Sequence, residues 1–452
     1  MAKGIEAIIE SEKAKLKSTR NSVTLTSPCA LNDGIIAWDD LKMLSSDESM
    51  NNDVSFFVPA SGAGSRMFTF LYEFQQTGSS NEQVDRFFQN LSAFPFFAAL
   101  NVDSKEDYAT EERLRIVDQL LNDPNFQFGD RPKGMIPFFL EGNETLTPFQ
   151  LQAKQALEFL NDQPKIHFTV KSGMEKDIEE HIRSSVGENI ALDFSCQDPD
   201  TDAFCFDENG IVVVDSNGHP LRRPAGHGAL LANLNQVDAD IVLIKNIDNV
   251  QFGEKAKTSF ECWNQMLVVL DEFNSSLKEA IDSNSFEMLA SVNDRFMFLS
   301  SAEFDRIQNT NNITSLGDRP TRVCGMVVNQ GKPGGGPFWI DENGVESKQI
   351  IEKSQINIKD DRQRRILEAS THFNPVFIAA FKQSLNTGER LDLMKFTNED
   401  LYLNVAKPNN GEMVYYSELP GLWNGGMHNW NTIFVEIPVE AFTPVKTVLD
   451  LL

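Results

Sequence analysis

The sequence predicts an α/β fold with a mainly parallel sheet covered by helices on both faces. Two observations carry this. Short, mostly apolar runs recur between amphipathic helical patterns from Val54 to about residue 248. The first such run empties into a glycine-containing loop followed by another helical pattern. Unalternated apolar runs of this length are the signature of strands buried on both faces, as parallel sheets are.

The strand candidates are 54–58, 166–170, 190–194, 211–215 and 241–244, and the clearest helices between them are 147–161 and 174–184. Residues 1–50 read as an N-terminal helical and loop segment, residues 51–400 as one large domain with an insert, and residues 401–452 as a C-terminal segment. Within the large domain, 254–310 reads as mostly helical and 322–358 as β-rich around a flexible Lys332–Pro337 loop.

Composition bounds the function. With 66 acidic against 40 basic residues and a net charge of −26, the chain has no excess of cations to neutralise a nucleic-acid backbone. The five cysteines have no CxxC spacing and the six histidines no metal-ligand spacing, which predicts reduced core thiols and a cytoplasmic protein. Residues 1–20 are a charged helical pattern without an apolar stretch, which predicts no secretory leader. No apolar run is long enough to span a membrane.

Four elements carry candidate chemistry. The loop Ser61-Gly62-Ala63-Gly64-Ser65-Arg66 follows the first strand. Small residues let a ligand approach the backbone, helix-start N–H groups suit an anion, and Arg66 adds a fixed charge. An ordinary strand-to-helix turn would carry the same letters. Lys133, in Arg131-Pro132-Lys133-Gly134, reads as a loop lysine before a strand at 136–140, and is a point charge for phosphate oxygens or a solvated surface residue. The turn Gly226-His227-Gly228 opens a helical stretch, as a close-approach turn or a plain helix start. Asp248 and Asn249 follow the strand at 241–244; a strand-end carboxylate suits Mg²⁺, and an Asp-Asn turn is the plainer reading.

In their order and spacing these elements resemble the UDP-sugar pyrophosphorylase group, and most of all the UDP-N-acetylhexosamine pyrophosphorylases. The likeness extends to Phe149–Ala153 (FQLQAER in that family), Phe194–Gln197 with Pro199 (FFQQ), Pro224–Leu230 (APDGNGGLY), Cys324–Val328 (CGVV), Ile350–Ser354 (VVEYS), Phe434–Glu436 (FVFD) and Phe442–Lys446 (FSPLK). It covers about residues 54–448. It implies the Rossmann-like nucleotide-diphospho-sugar transferase fold with extra α+β elements.

It also implies an activity, the joining of UTP to a sugar 1-phosphate with release of pyrophosphate. A non-catalytic protein that binds a sugar nucleotide on the same fold is the alternative. By position, the resemblance assigns Ser61 to Arg66 and Lys133 to the UTP phosphates, with Arg66 and Lys133 as the catalytic cations. Gln197, Gly226, His227 and Gly228 go to the uracil side and Asp248 to Mg²⁺. Asn249, Gly325, Glu352 and Lys446 go to the sugar phosphate.

The chain departs from the family in five places, one being the family's Asn-rich motif, for which Thr371–Asn374 is only a loose counterpart. Ala60-Ser61 replaces a glycine pair, His227 replaces an asparagine, Glu436 replaces an aspartate, and Leu419–Met427 (LPGLWNGGM) has no counterpart. The last implies a separate bacterial branch. The partners implied are small molecules, without nucleic acid or membrane; the oligomeric state is left open.

Overall fold

The computed structural model describes residues 2–18, 22–41, 52–142, 144–161, 164–329, 331, 335–409 and 411–452. The chain divides into two compact units, each discontinuous in sequence. The first comprises 1–54, 197–244 and 261–439, and the second 55–196, 245–260 and 440–452. Both are α/β; among the described residues the main-sheet strands pair mostly in parallel, and the hairpins and smaller sheets pair antiparallel.

In the second unit the strands Val54–Pro59, Lys165–Val170 and Ala191–Cys196 pair in parallel, in register at Phe56↔Ile166 and Ile166↔Leu192. They are the apolar runs at 54–58, 166–170 and 190–194. The connecting helix Pro148–Leu160 starts where its residues demand: Thr147 and Gln150 form a reciprocal capping box and Pro148 fills the first turn. A phenylalanine-rich core packs the helices Thr69–Thr77, Glu82–Gln89 and Thr110–Asn122 together. The chain's last segment joins this core through Val445, Val448 and Leu449.

In the first unit the parallel strands Gly34–Ile36, Asn431–Glu436 and Thr321–Val328 lie in that order. Phe377–Phe381 runs antiparallel on the free side of Thr321–Val328. Ile241–Lys245 is the next neighbour in strand order. These strands are buried along nearly their whole length. The hairpin Gly336–Glu342/Val345–Ile351 forms a second sheet with Leu25–Pro28. The 254–310 region is helical, as Glu254–Asp282, Phe286–Phe296 and Ser301–Asn309.

Several expectations are corrected. Residues 211–215 form no strand of the main sheets; Ile211 and Val214 are 64% and 57% exposed, and isolated bridges and turn hydrogen bonds hold the segment. An apolar run there lacks a second buried face. The strand expected at 136–140 is displaced to Phe139–Glu141, because Lys133–Met135 forms a 3-10 turn. The N-terminal residues are more than helix and loop, since 25–36 supply strands to both sheets of the first unit. The C-terminal segment splits after Val439 between the two units. Lys332, Pro333 and Gly334 of the expected loop lie outside the described residues.

A candidate phosphate site around Asp248

The loop after Val54–Pro59 leaves Ser61, Gly62 and Ala63 exposed. It then enters a 3-10 turn, Gly64–Phe68, and only afterwards the α-helix Thr69–Thr77. It does not open directly onto an α-helix. It is fastened to the Arg131–Lys133 segment by two backbone bonds, Gly64 N–H to Arg131 O at 3.0 Å and Lys133 N–H to Gly62 O at 3.1 Å. Gly64 is therefore a packing glycine: its N–H is taken, and a Cβ would stand 2.4 Å from Ile136 Cδ1. Gly62 is different. Nothing lies within 4 Å of where its Cβ would be, and its φ is not positive. No neighbour or backbone strain calls for glycine at that position.

This zipper places Lys133. Gly134, next in sequence, permits the tight turn, because a Cβ there would meet the Phe149 ring at 2.5 Å. The Lys133 ammonium reaches Asp248 Oδ2 at 2.6 Å, although the two residues are 115 apart in sequence. Lys446 reaches the same oxygen at 2.9 Å from 198 residues away. Its approach is set by Val445 and Val448, buried on either side, and by Val445 N–H bonding to Asp248 O at 3.1 Å. An antiparallel bridge of Asn249 to Pro444 aligns the two segments.

The electrostatics are those of a shared anion. Burial pushes the Asp248 carboxyl up, but the charges of Lys133 and Lys446 and their hydrogen bonds outweigh it, so its pKa falls below the ordinary value. Burial lowers Lys133; Asp248 opposes this, while Lys446 and Arg66 lower it further. Arg66, exposed at the loop, is thus within electrostatic reach of the same group. Asp248 Oδ1 is buried and accepts no hydrogen bond. Among the described residues no cluster of three or more His, Cys, Asp or Glu could hold a metal.

The structure thus brings Arg66, Lys133, Asp248 and Lys446 together beside exposed Ser61–Ala63. The side chain of Asn249 is bonded within the second unit. It is fully buried, its amide donates to Ala441 O, and its carbonyl accepts from Thr443 N–H and Gln251. It is a clasp for the segment that carries Lys446. Sequence reasoning missed Gln251, which closes the same clasp through Ala441 O, Thr443 and Ser259.

The remaining candidates lie in the first unit. Gln197 donates to Asp202 at 3.0 Å. Gly325 sits inside its strand, where a Cβ would meet Ile437 at 2.7 Å. His227 stacks on Trp423 with ring centres 4.2 Å apart, accepts from Leu422 N–H at Nδ1, and presents Nε2 to Glu352 at 3.4 Å. The unmatched Leu419–Met427 segment thus closes over the Gly226–Gly228 turn. A Cβ on Gly228 would stand 2.1 Å from Pro420 O.

The chain belongs to the family described as "Domain of unknown function (DUF4301)", whose model matches residues 2–452. No curated protein matches it. Among solved structures it is similar to UDP-glucose phosphorylase from Trypanosoma brucei, at 13% identity and TM-score 0.51, covering 100% of this chain and 75% of that one. It is also similar to a UDP-glucose pyrophosphorylase variant from Leishmania major in complex with UDP-glucose, at 11% identity and TM-score 0.50, covering 98% and 74%. At these identities the likeness establishes the fold, which is that of the pyrophosphorylases. No helix among the described residues is long and apolar enough to cross a membrane.

Proposed function

We propose that this member of the DUF4301 family is a nucleotidyltransferase of the UDP-sugar pyrophosphorylase kind, joining UTP to a sugar 1-phosphate. The observation that carries the proposal is the convergence of Lys133 and Lys446 on Asp248 beside Arg66 and the exposed Ser61–Ala63 loop. In a chain of net charge −26 this is a local concentration of cations, built from three distant segments.

In the proposed reaction a phosphate oxygen of the sugar 1-phosphate attacks the α-phosphorus of UTP. The bond from that phosphorus to the oxygen bridging to the β-phosphate breaks, and pyrophosphate carries away the electron pair. No covalent enzyme intermediate is needed. Arg66 and Lys133 hold the triphosphate, and Lys446 meets the incoming phosphate. Two polyanions held in line can gain about 7–11 kcal/mol from positioning. Each fixed donor aimed at the developing charge is worth roughly 3–4 kcal/mol.

Asp248 fits Mg²⁺ in one respect: Oδ1 is a buried, unpartnered carboxylate oxygen. Mg²⁺ commonly takes one or two protein carboxylates and completes its shell with phosphate and water oxygens. Bound there, it would neutralise phosphate charge. The assignment of Gly226, His227 and Gly228 to the base, and of Gly325 and Glu352 to the sugar, rests on the family resemblance.

A pyrophosphate-release screen pairing UTP with a set of sugar 1-phosphates tests the proposal. Release is expected with UTP and at least one sugar phosphate. UTP binding without release by any pair would favour a sugar-nucleotide-binding protein. Absence of both would remove the nucleotide altogether.

A further inference from the structure

The first unit contains a second, separate site. A cavity of 440 Å³ opens between the helix Ser301–Asn309, the tip of the Gly336–Glu342/Val345–Ile351 hairpin and the start of the strand Asn431–Glu436. It lies at the N-terminal end of the parallel strands Asn431–Glu436 and Thr321–Val328. Gly325 and Glu436, where the family resemblance runs, lie toward their other end.

The cavity is built and polar. His428 and Glu342 form a pair at 2.7 Å, with Ser347 donating to the other Glu342 oxygen at 2.6 Å and Asn398 donating at 3.3 Å. Burial pushes the Glu342 carboxyl up, but the His428 contact and the hydrogen bonds from Ser347 and Asn398 outweigh it, so its pKa falls below the ordinary value. Gln349 fixes the His428 backbone at 2.9 Å and is held in turn by the buried Arg322.

Three buried polar atoms of residues lining this cavity have no partner: His428 Nδ1, Trp430 Nε1 and Asn431 Oδ1. His428 and Trp430 are 6% and 4% exposed, and Asn431 1%. Buried polar atoms are nearly always paired, so each unpaired one in a native site asks for a missing partner. Trp430 Nε1 can only donate, and Asn431 Oδ1 can only accept. A hydroxyl can donate and accept, so it can serve either atom.

The charges indicate a ligand without net charge. The lining carries three cations, Arg306, Arg319 and Lys348, and three acidic residues, Glu303, Glu342 and Glu399. Arg319 is tied to Glu303 at 2.9 Å, and Lys348 spends bonds on Gly34 O and Met297 O. Arg306, at the rim, meets the same Glu303 at 3.6 Å. Phe298, Val345 and the Trp430 ring supply an apolar wall for C–H groups.

We propose that this cavity binds a small neutral polyhydroxylated molecule, of the sugar or polyol class, through Trp430, Asn431 and the His428–Glu342 pair. The volume suits one or two sugar rings and lies in the usual range for ligand pockets, roughly 300–1,000 Å³. The proposal does not depend on the nucleotidyltransferase reading, because the ligand carries no phosphate.

The test is calorimetric titration of the full chain with free hexoses, disaccharides and cyclic polyols, alongside free amino acids as zwitterionic controls. Wild-type protein is expected to bind at least one sugar or polyol. Trp430→Phe keeps an aromatic ring, though a smaller one, and removes the N–H, and is expected to weaken binding at least fivefold to tenfold, roughly the cost of one hydrogen bond. Asn398→Ala, at a half-buried loop position, is the second variant and should weaken binding several-fold by loosening Glu342. Circular dichroism melting of each variant reports folding independently. Binding of no neutral sugar or polyol overturns the proposal. So does sugar binding that both folded variants leave unchanged, and so does a preference for amino acids.

Discussion

Asp248 is the residue on which most of the candidate site turns. One oxygen takes two ammonium groups and the other takes none. Lys133→Ala is expected to lower turnover by about 10²–10³, the usual cost of removing a fixed donor from a charge-stabilising site, with the fold retained. Pyrophosphate exchange at the wild-type rate would remove Lys133 from the chemistry. Asp248 also makes a prediction about pH. Its pKa is depressed in the folded state, so its pairing stabilises the protein above the ordinary carboxylate value of about 3.9 and is lost as pH falls through the lower folded value. Urea midpoints for wild type and Asp248→Asn should therefore differ fully near neutral pH and converge as the carboxylate protonates. A gap that stays constant into acid would show that the charge is not what stabilises.

Two glycines of one loop separate packing from ligand approach. Gly64→Ala drives a methyl into Ile136 and should cost about 1–3 kcal/mol. Gly62→Ala meets nothing and should leave stability within about 0.5 kcal/mol. If a triphosphate lies against that backbone, Gly62→Ala still weakens UTP binding about tenfold, or 1.4 kcal/mol. Chemical denaturation and UTP titration of the same two variants check both halves.

At the scale of elements, the C-terminal segment decides whether Lys446 reaches its place. Val448 is fully buried in the second unit's core, and the Asn249–Gln251 clasp holds the chain before it. Val448→Ala is expected to cost about 2 kcal/mol and to lower activity together with stability, as cavity-forming changes do when they loosen a positioned side chain. A fall in stability with turnover intact would mean that Lys446 is dispensable. The strands were the easiest elements to read, because 54–58, 166–170, 190–194 and 241–244 are mostly apolar runs, and all but the 191–196 strand are buried along nearly their whole length. The run at 211–215 reads the same way by letters alone, yet Ile211 and Val214 face solvent. Its neighbours Asp207–Gly210 and Asp215–Gly218 are turns closed by aspartate side chains onto backbone N–H groups, and these hold the short run away from any sheet.

Across the whole molecule, 66 acidic against 40 basic residues leave a self-repelling chain. Screening should relieve this, so the melting temperature is expected to rise between about 20 and 300 mM NaCl at neutral pH, over which the Debye length shortens from roughly 20 to 6 Å. A falling melting temperature would show instead that local attractions such as Lys133–Asp248–Lys446 dominate the balance.

Local order in the chain was enough to predict an α/β protein with buried parallel strands, because apolar runs and helical periodicity are short-range properties. The same order, matched against a known family, named Arg66, Lys133, Asp248 and Lys446 as one set. Their meeting is a tertiary fact: contacts across 115 and 198 residues depend on how loops and the C-terminal segment pack, which no local pattern encodes. Packing also decided what Asn249 and Gly64 do, since a buried amide and a missing Cβ take their roles from the neighbours that surround them.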